Sequence, residues 1–179
     1  MSKAVMLSVR PKWCEKIIIG EKTVEVRKNR PKLETPFKCY IYKTQGWVEK
    51  DGIMAFRLGG RVIGEFTCDR IYELETRSPG GRYYVKREGQ PTTNDVARHS
   101  CLTLKDMHEY LQSKVGYGWH ISDLRIYDQP RVLTEFRKSC PNDLYCEDCA
   151  MYSNNNGICN NGALTLRRPP QSWCYVEEG

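Results

Sequence analysis

The chain has 179 residues, with 28 Lys and Arg against 22 Asp and Glu and a formal net charge of +6. That length allows one domain with a small appendage at roughly 150 residues per domain, and it is enough to bury a core. No apolar run exceeds four residues (Ala4 to Leu7 is one) and the opening residues lack a secretory pattern, so a soluble, cytoplasmic chain without a membrane partner is expected.

In chain order, residues 3–9 read as a buried strand. Pro11 opens a helix whose apolar face is Trp13, Cys14, Ile17 and Ile18, with Gly20 as its stop. Residues 22–28 alternate as a second strand and residues 37–43 as a third. Residues 47–58 resemble a strand interrupted by Asp51-Gly52. Residues 61–72 form a long strand, and 76–100 a long polar loop of the kind that often carries function. Thr103 and Asp106 resemble a capping box, followed by a helix of about three turns marked by Leu104, Met107, Leu111 and Val115. Gly116 and Gly118 end it. Residues 119–127 form a further strand whose apolar phase shifts near Ser122, the mark of a bulge or of two-sided burial. Residues 170–176 close the chain as a short strand. Five or six strands with two helices, not interleaved as strict βαβ units, predict an α+β domain, a curled mixed sheet or small open barrel.

Charge and cysteine are unevenly placed. Residues 1–43 hold eleven Lys or Arg and four Glu, while residues 44–179 are near neutral. A basic segment suits a polyanion such as nucleic acid; the plainer reading is a solvated Lys-rich surface. Nine cysteines, an odd number, with no sign of export argue against a disulfide framework. Cys14, Cys39, Cys68, Cys101 and Cys174 are scattered, as small buried hydrophobes are. The other four, Cys140, Cys146, Cys149 and Cys159, lie within twenty residues with Cys-x2-Cys at their centre, a zinc-knuckle spacing. Residues 139–162 have too few aliphatics to build a core, and a metal can substitute for one. The expectation is a structural zinc held by four thiolates in a 139–162 insertion within a single 1–179 domain; free thiols in a loop are the alternative.

Leu7-Ser8-Val9-Arg10-Pro11-Lys12-Trp13, followed by Gly20-Glu21-Lys22-Thr23-Val24-Glu25-Val26-Arg27, resembles the ASCH domain, a small barrel similar to the PUA domains of RNA-modification proteins. Gly64-Glu65-Phe66 fits that family's central strand. His120-Ile121-Ser122-Asp123 and Pro170-Gln171-Ser172-Trp173-Cys174 resemble a subgroup of bacteria and phages. The resemblance covers residues 1 to about 138 and 167–176. It implies a PUA-like mixed barrel with RNA or a nucleotide bound beside the first helix. Some members resemble ribonucleases, and one subgroup resembles acetylcytidine amidohydrolases with a Lys-Thr-x-Thr nucleophile motif. Here Glu25 stands where that threonine would be, so that mechanism does not transfer.

Lys22, Glu25 and Arg27 are the central candidates. Alternation puts Glu25 and Arg27 on one face with Thr23 beside them. Arg27 can grip a phosphate bidentately, Lys22 adds a point charge, and Glu25 can accept from a base edge or orient Arg27. The plainer reading is a surface ion pair of about 0.5 kcal/mol. Arg10, Lys12 and Lys16 flank the same cleft. Trp13 either stacks a base or packs in the core, and Trp173 can close the cleft after its rigid Pro-Pro approach. His99, His108 and His120 form no arrangement with a nucleophile. Binding of RNA or a nucleotide is therefore the first reading. A hydrolase acting on RNA or a modified nucleoside through Lys22 and Glu25 is the second.

Overall fold

A computed structural model describes residues 3–50, 53–57, 59–76, 78, 80–86, 91–140, 159 and 161–177. The described residues form an α+β fold with two main sheets, a two-stranded sheet and three α-helices.

The first sheet has the order β10-β6-β3-β1-β11, built from β1 (Lys3–Val9), β3 (Phe37–Lys43), β6 (Arg61–Cys68), β10 (Ser122–Arg131) and β11 (Trp173–Glu177). β1 and β3 are parallel and the remaining pairs antiparallel, so the sheet is mixed. β1 reads as a continuous apolar run because both its faces are covered. Val5, Leu7 and Val9 enter one core cluster, and Ala4 and Met6 enter another on the opposite face. The second sheet, β2-β9-β7-β8, comprises β2 (Val24–Arg27), β7 (Ile71–Thr76), β8 (Tyr83–Val85) and β9 (Gly116–His120). Trp119 of this sheet packs edge-on against Phe37 of the first, with ring centres 5.9 Å apart, and is fully buried in the shared core. β4 (Gly46–Lys50) and β5 (Ile53–Arg57) pair as a separate antiparallel two-stranded sheet; Asp51-Gly52, where the sequence reading placed an interruption, lies outside the described residues.

The helices depart from expectation in number and length. α1 (Pro11–Ile18) forms with Pro11 in its first turn and buries Cys14 and Ile17. A third helix, α2 (Thr93–Ser100), occupies the segment read as loop; Thr92 and Asp95 form a complete capping box. α3 (Leu104–Leu111) has the predicted box from Thr103 and Asp106, but it stops after two turns. Gln112 and Ser113 take left-handed backbone (φ 55° and 59°), leaving Val115 outside the helix.

Two segments read as single strands each divide between the sheets. The chain leaves β6 at Asp69-Arg70 to enter β7, and leaves β9 at Ile121 to enter β10. Asp123, with φ 47°, marks the second crossing, close to where the apolar phase shifts. Two sheets joined by these crossings make up the expected mixed β architecture, with no closed barrel among the described residues. His120 Nδ1 lies 2.6 Å from Asp69 Oδ1 and ties the crossings together.

Cys14, Cys39 and Cys68 are buried as expected, and Cys101 and Cys174 are half-buried. Burial pushes the Cys14 and Cys68 thiols up to about 12, so both are inert at neutral pH. Among the described residues no helix is long and apolar enough to cross a membrane.

Candidate functional site

A cavity of about 460 Å³ opens where α1, β2, α3 and the residues before β11 meet. Its floor carries Lys22, Glu25 and Arg27, only 3%, 6% and 9% exposed. All four residues of β2 are buried, because the strand is covered on both faces. The surface ion pair envisaged from sequence is thus a buried cluster.

Backbone hydrogen bonds fix its position. Lys22 N donates to Lys16 O at the end of α1, and Thr23 N to His99 O at the end of α2, both at 2.9 Å. Thr23 O accepts from Ile121 N. Thr23 therefore anchors the strand and does not line the cavity.

The Lys22 ammonium donates to Val24 O (2.9 Å) and Ser100 O (2.7 Å) and pairs with Glu25 Oε2 at 3.1 Å. An ammonium has three donors and no acceptor, so all three are engaged. Ser100 O lies at the C-terminal end of α2, where a cation is favoured. Arg27 Nη2 donates to Ser8 O (2.6 Å) and pairs with Glu25 Oε1 at 2.9 Å; Nη1 donates to Ser172 Oγ at 3.2 Å. Arg27 Nε is buried without a partner among the described residues. Burial pushes the Glu25 carboxyl up, but Lys22 and Arg27 outweigh it and hold the group below the ordinary glutamate value. Two cations and one carboxylate leave the buried cluster one positive charge in excess.

Arg10 and Trp13 of the predicted set also line the cavity. Trp13 packs against the core as well, so the two readings of it meet in one residue. Its ring lies 4.4 Å from Lys12 Nζ and 5.2 Å from Lys22 Nζ, both in cation–π geometry. Lys12 itself is exposed and touches the cavity only through that ring. Lys16 pairs with Glu21 at 2.6 Å on the surface. Trp173 belongs to the core, with its ring 6.0 Å from Trp119 and 5.4 Å from Tyr175; the cavity rim is made instead by Gln171 and Ser172. Sequence reasoning missed Tyr110 and Ser8. Tyr110 lies off the apolar stripe of α3 and is 39% exposed, an aromatic where packing does not require one. Ser8 lies within the motif that carries the resemblance, but nothing there singles it out from the strand around it.

A larger cavity, about 670 Å³, lies at the starts of α2 and α3. Its cations, Arg82 and Lys105, are exposed. The smaller cavity differs from it in carrying buried charge, and ionisable groups in such surroundings are common at functional sites.

Of the four clustered cysteines, Cys146 and Cys149 lie outside the described residues. Cys140 and Cys159 are free thiols. The two stems of the segment are stitched together by Lys138 N to Leu164 O (2.7 Å) and Leu166 N to Phe136 O (2.8 Å). Arg137 Nη2 donates to Cys159 Sγ at 3.2 Å. Among the described residues no group of three metal-ligating side chains occurs.

No family model and no curated protein matches this chain. Solved structures do. The crystal structure of ASCH from Zymomonas mobilis superposes with a TM-score of 0.56 at 16% identity, covering 98% of this chain and 88% of that one. A tyrosine-to-phenylalanine variant of the same protein gives 0.56 over 99% and 92%. The fold is that of ASCH proteins, as the motifs around Lys22 imply.

Proposed function

We propose that the chain is an ASCH-like module that binds single-stranded RNA or a nucleotide in the cleft floored by Lys22, Glu25 and Arg27. The excess positive charge of that buried cluster carries the reading, because an uncompensated buried charge is costly and an anion entering the cleft relieves it. Arg10 stands exposed on the lining to meet phosphate, and Trp13 and Tyr110 offer aromatic faces. Lys22 positions Glu25 and does not contact phosphate, since its protons are already donated. The same saturation removes support for Lys22 as the base of a hydrolase, and Glu25 remains the one group through which that second reading acts.

Titration with a random RNA pool at two salt concentrations tests the binding reading. Each phosphate contact adds about 0.7 to the log–log slope for a single strand, and a cleft this small engages few, so a shallow slope is expected. Arg10→Ala weakens binding across sequences. Absence of binding at low salt overturns the reading.

The cysteine segment is proposed to hold one structural zinc through Cys140, Cys146, Cys149 and Cys159. The stitched stems and the Arg137–Cys159 contact support it. Such a site supplies folding free energy, not catalysis. Protein purified without chelators is expected to carry one zinc per chain by elemental analysis; none overturns the assignment.

A further inference from the structure

The cleft's hydrogen-bonding groups can be counted, and the count discriminates among bases. Each Glu25 oxygen accepts one bond, Oε1 from Arg27 and Oε2 from Lys22. A carboxylate has about four acceptor positions, so one remains on each oxygen. Lys22 has no donor left. Arg27 has two N–H groups undonated, one on Nη1 and one on Nε, but Nε is sealed from solvent. By this count the cluster keeps one donor, on Arg27 Nη1, beside two acceptors, Glu25 Oε1 and Oε2.

We propose that this set of groups selects guanine. The inference rests on the reading of the cleft as a nucleotide site. The Watson–Crick edge of guanine runs acceptor, donor, donor (O6, N1–H and the 2-amino group), the complement of that count. Cytosine runs donor, acceptor, acceptor and needs two adjacent donors from the protein, which Arg27 cannot offer while Nε is closed. Adenine and uracil each present one Watson–Crick donor position and leave one Glu25 oxygen unmatched. The carboxylate serves this role because its cationic neighbours keep it ionised at neutral pH.

The test varies the ligand, so no variant need fold. GMP, AMP, CMP, UMP and IMP are titrated at low salt by calorimetry. IMP keeps O6 and N1–H and lacks only the 2-amino group. GMP is expected to bind about tenfold more tightly than each of the other three standard nucleotides, and IMP about tenfold less tightly than GMP, the size of one lost base-edge contact. Equal affinity for all five, or IMP equal to GMP, overturns guanine selection and leaves the nucleotide reading standing. If none of the five binds, and the RNA pool does not bind either, the nucleotide reading fails and this inference with it.

Discussion

Lys22 is the residue on which the site depends. Its ammonium joins two backbone carbonyls and one carboxylate from separate stretches of chain, 3% exposed. Lys22→Met orphans Val24 O and Ser100 O and leaves Glu25 to Arg27 alone. A loss of about 3 kcal/mol is expected, in the range for breaking a buried pair, and urea unfolding measures it. A loss near zero would mean that the ammonium is solvated. Glu25 gives the cluster a pH signature. Its carboxyl sits below the ordinary glutamate value, so its stabilisation is present above that value and is lost as pH falls through Glu25's own lower value. Glu25→Gln should flatten the acid limb of Tm against pH. At this scale the sequence was informative about identity and silent about depth. Alternation put Glu25 and Arg27 together, but burial of β2 depends on α2 and α3 packed against Val24 and Val26 and on Ser8 and Ser172 bonded to Arg27, which no local pattern announces.

Among the elements, β6 carries the clearest steric demand. A Cβ on Gly64 would meet Arg125 O of β10 at 2.4 Å and Ile126 Cα at 3.1 Å, backbone atoms that cannot swing aside. Gly64→Ala is expected to push β10 from β6 and destabilise by about 1–3 kcal/mol, read by thermal unfolding. β1 and β3 were legible as short apolar runs, and α1 from its helical period and the stop at Gly20. α2 was missed although Thr92 and Asp95 repeat the spacing of Thr103 and Asp106; polar residues around Val96 and Ala97 masked the short buried face. The strands through 61–72 and 119–127 looked continuous because residues on both sides of each crossing are apolar. Only topology decides that the chain changes sheets there. The pairing of His120 with Asp69 marks the crossings in space and not in sequence.

At the scale of the whole molecule, the cysteine segment is stitched on at its stems. Lys138 bridges Val176 of β11, and Glu177 N donates to Arg137 O. If the segment holds the proposed zinc, a chelator should expose residues 139–162 to protease while the circular dichroism of the sheets persists. A global loss of structure would instead show that the segment supports the fold. The edge strand β11 also has a consequence in time. It pairs with β1 in register, Lys3 beside Glu177, and the residues before it bond Ser8 and Arg27. During synthesis the N-terminal part of the cleft emerges early and waits for residues 170–177, some 160 positions later, a long-range closure that slows folding. A circular permutant that joins the two ends and opens the chain within residues 141–158 would place Ser172 and Ser8 on one short stretch and leave every other strand pairing at its present separation in sequence. It is expected to refold faster than the parent in stopped-flow fluorescence.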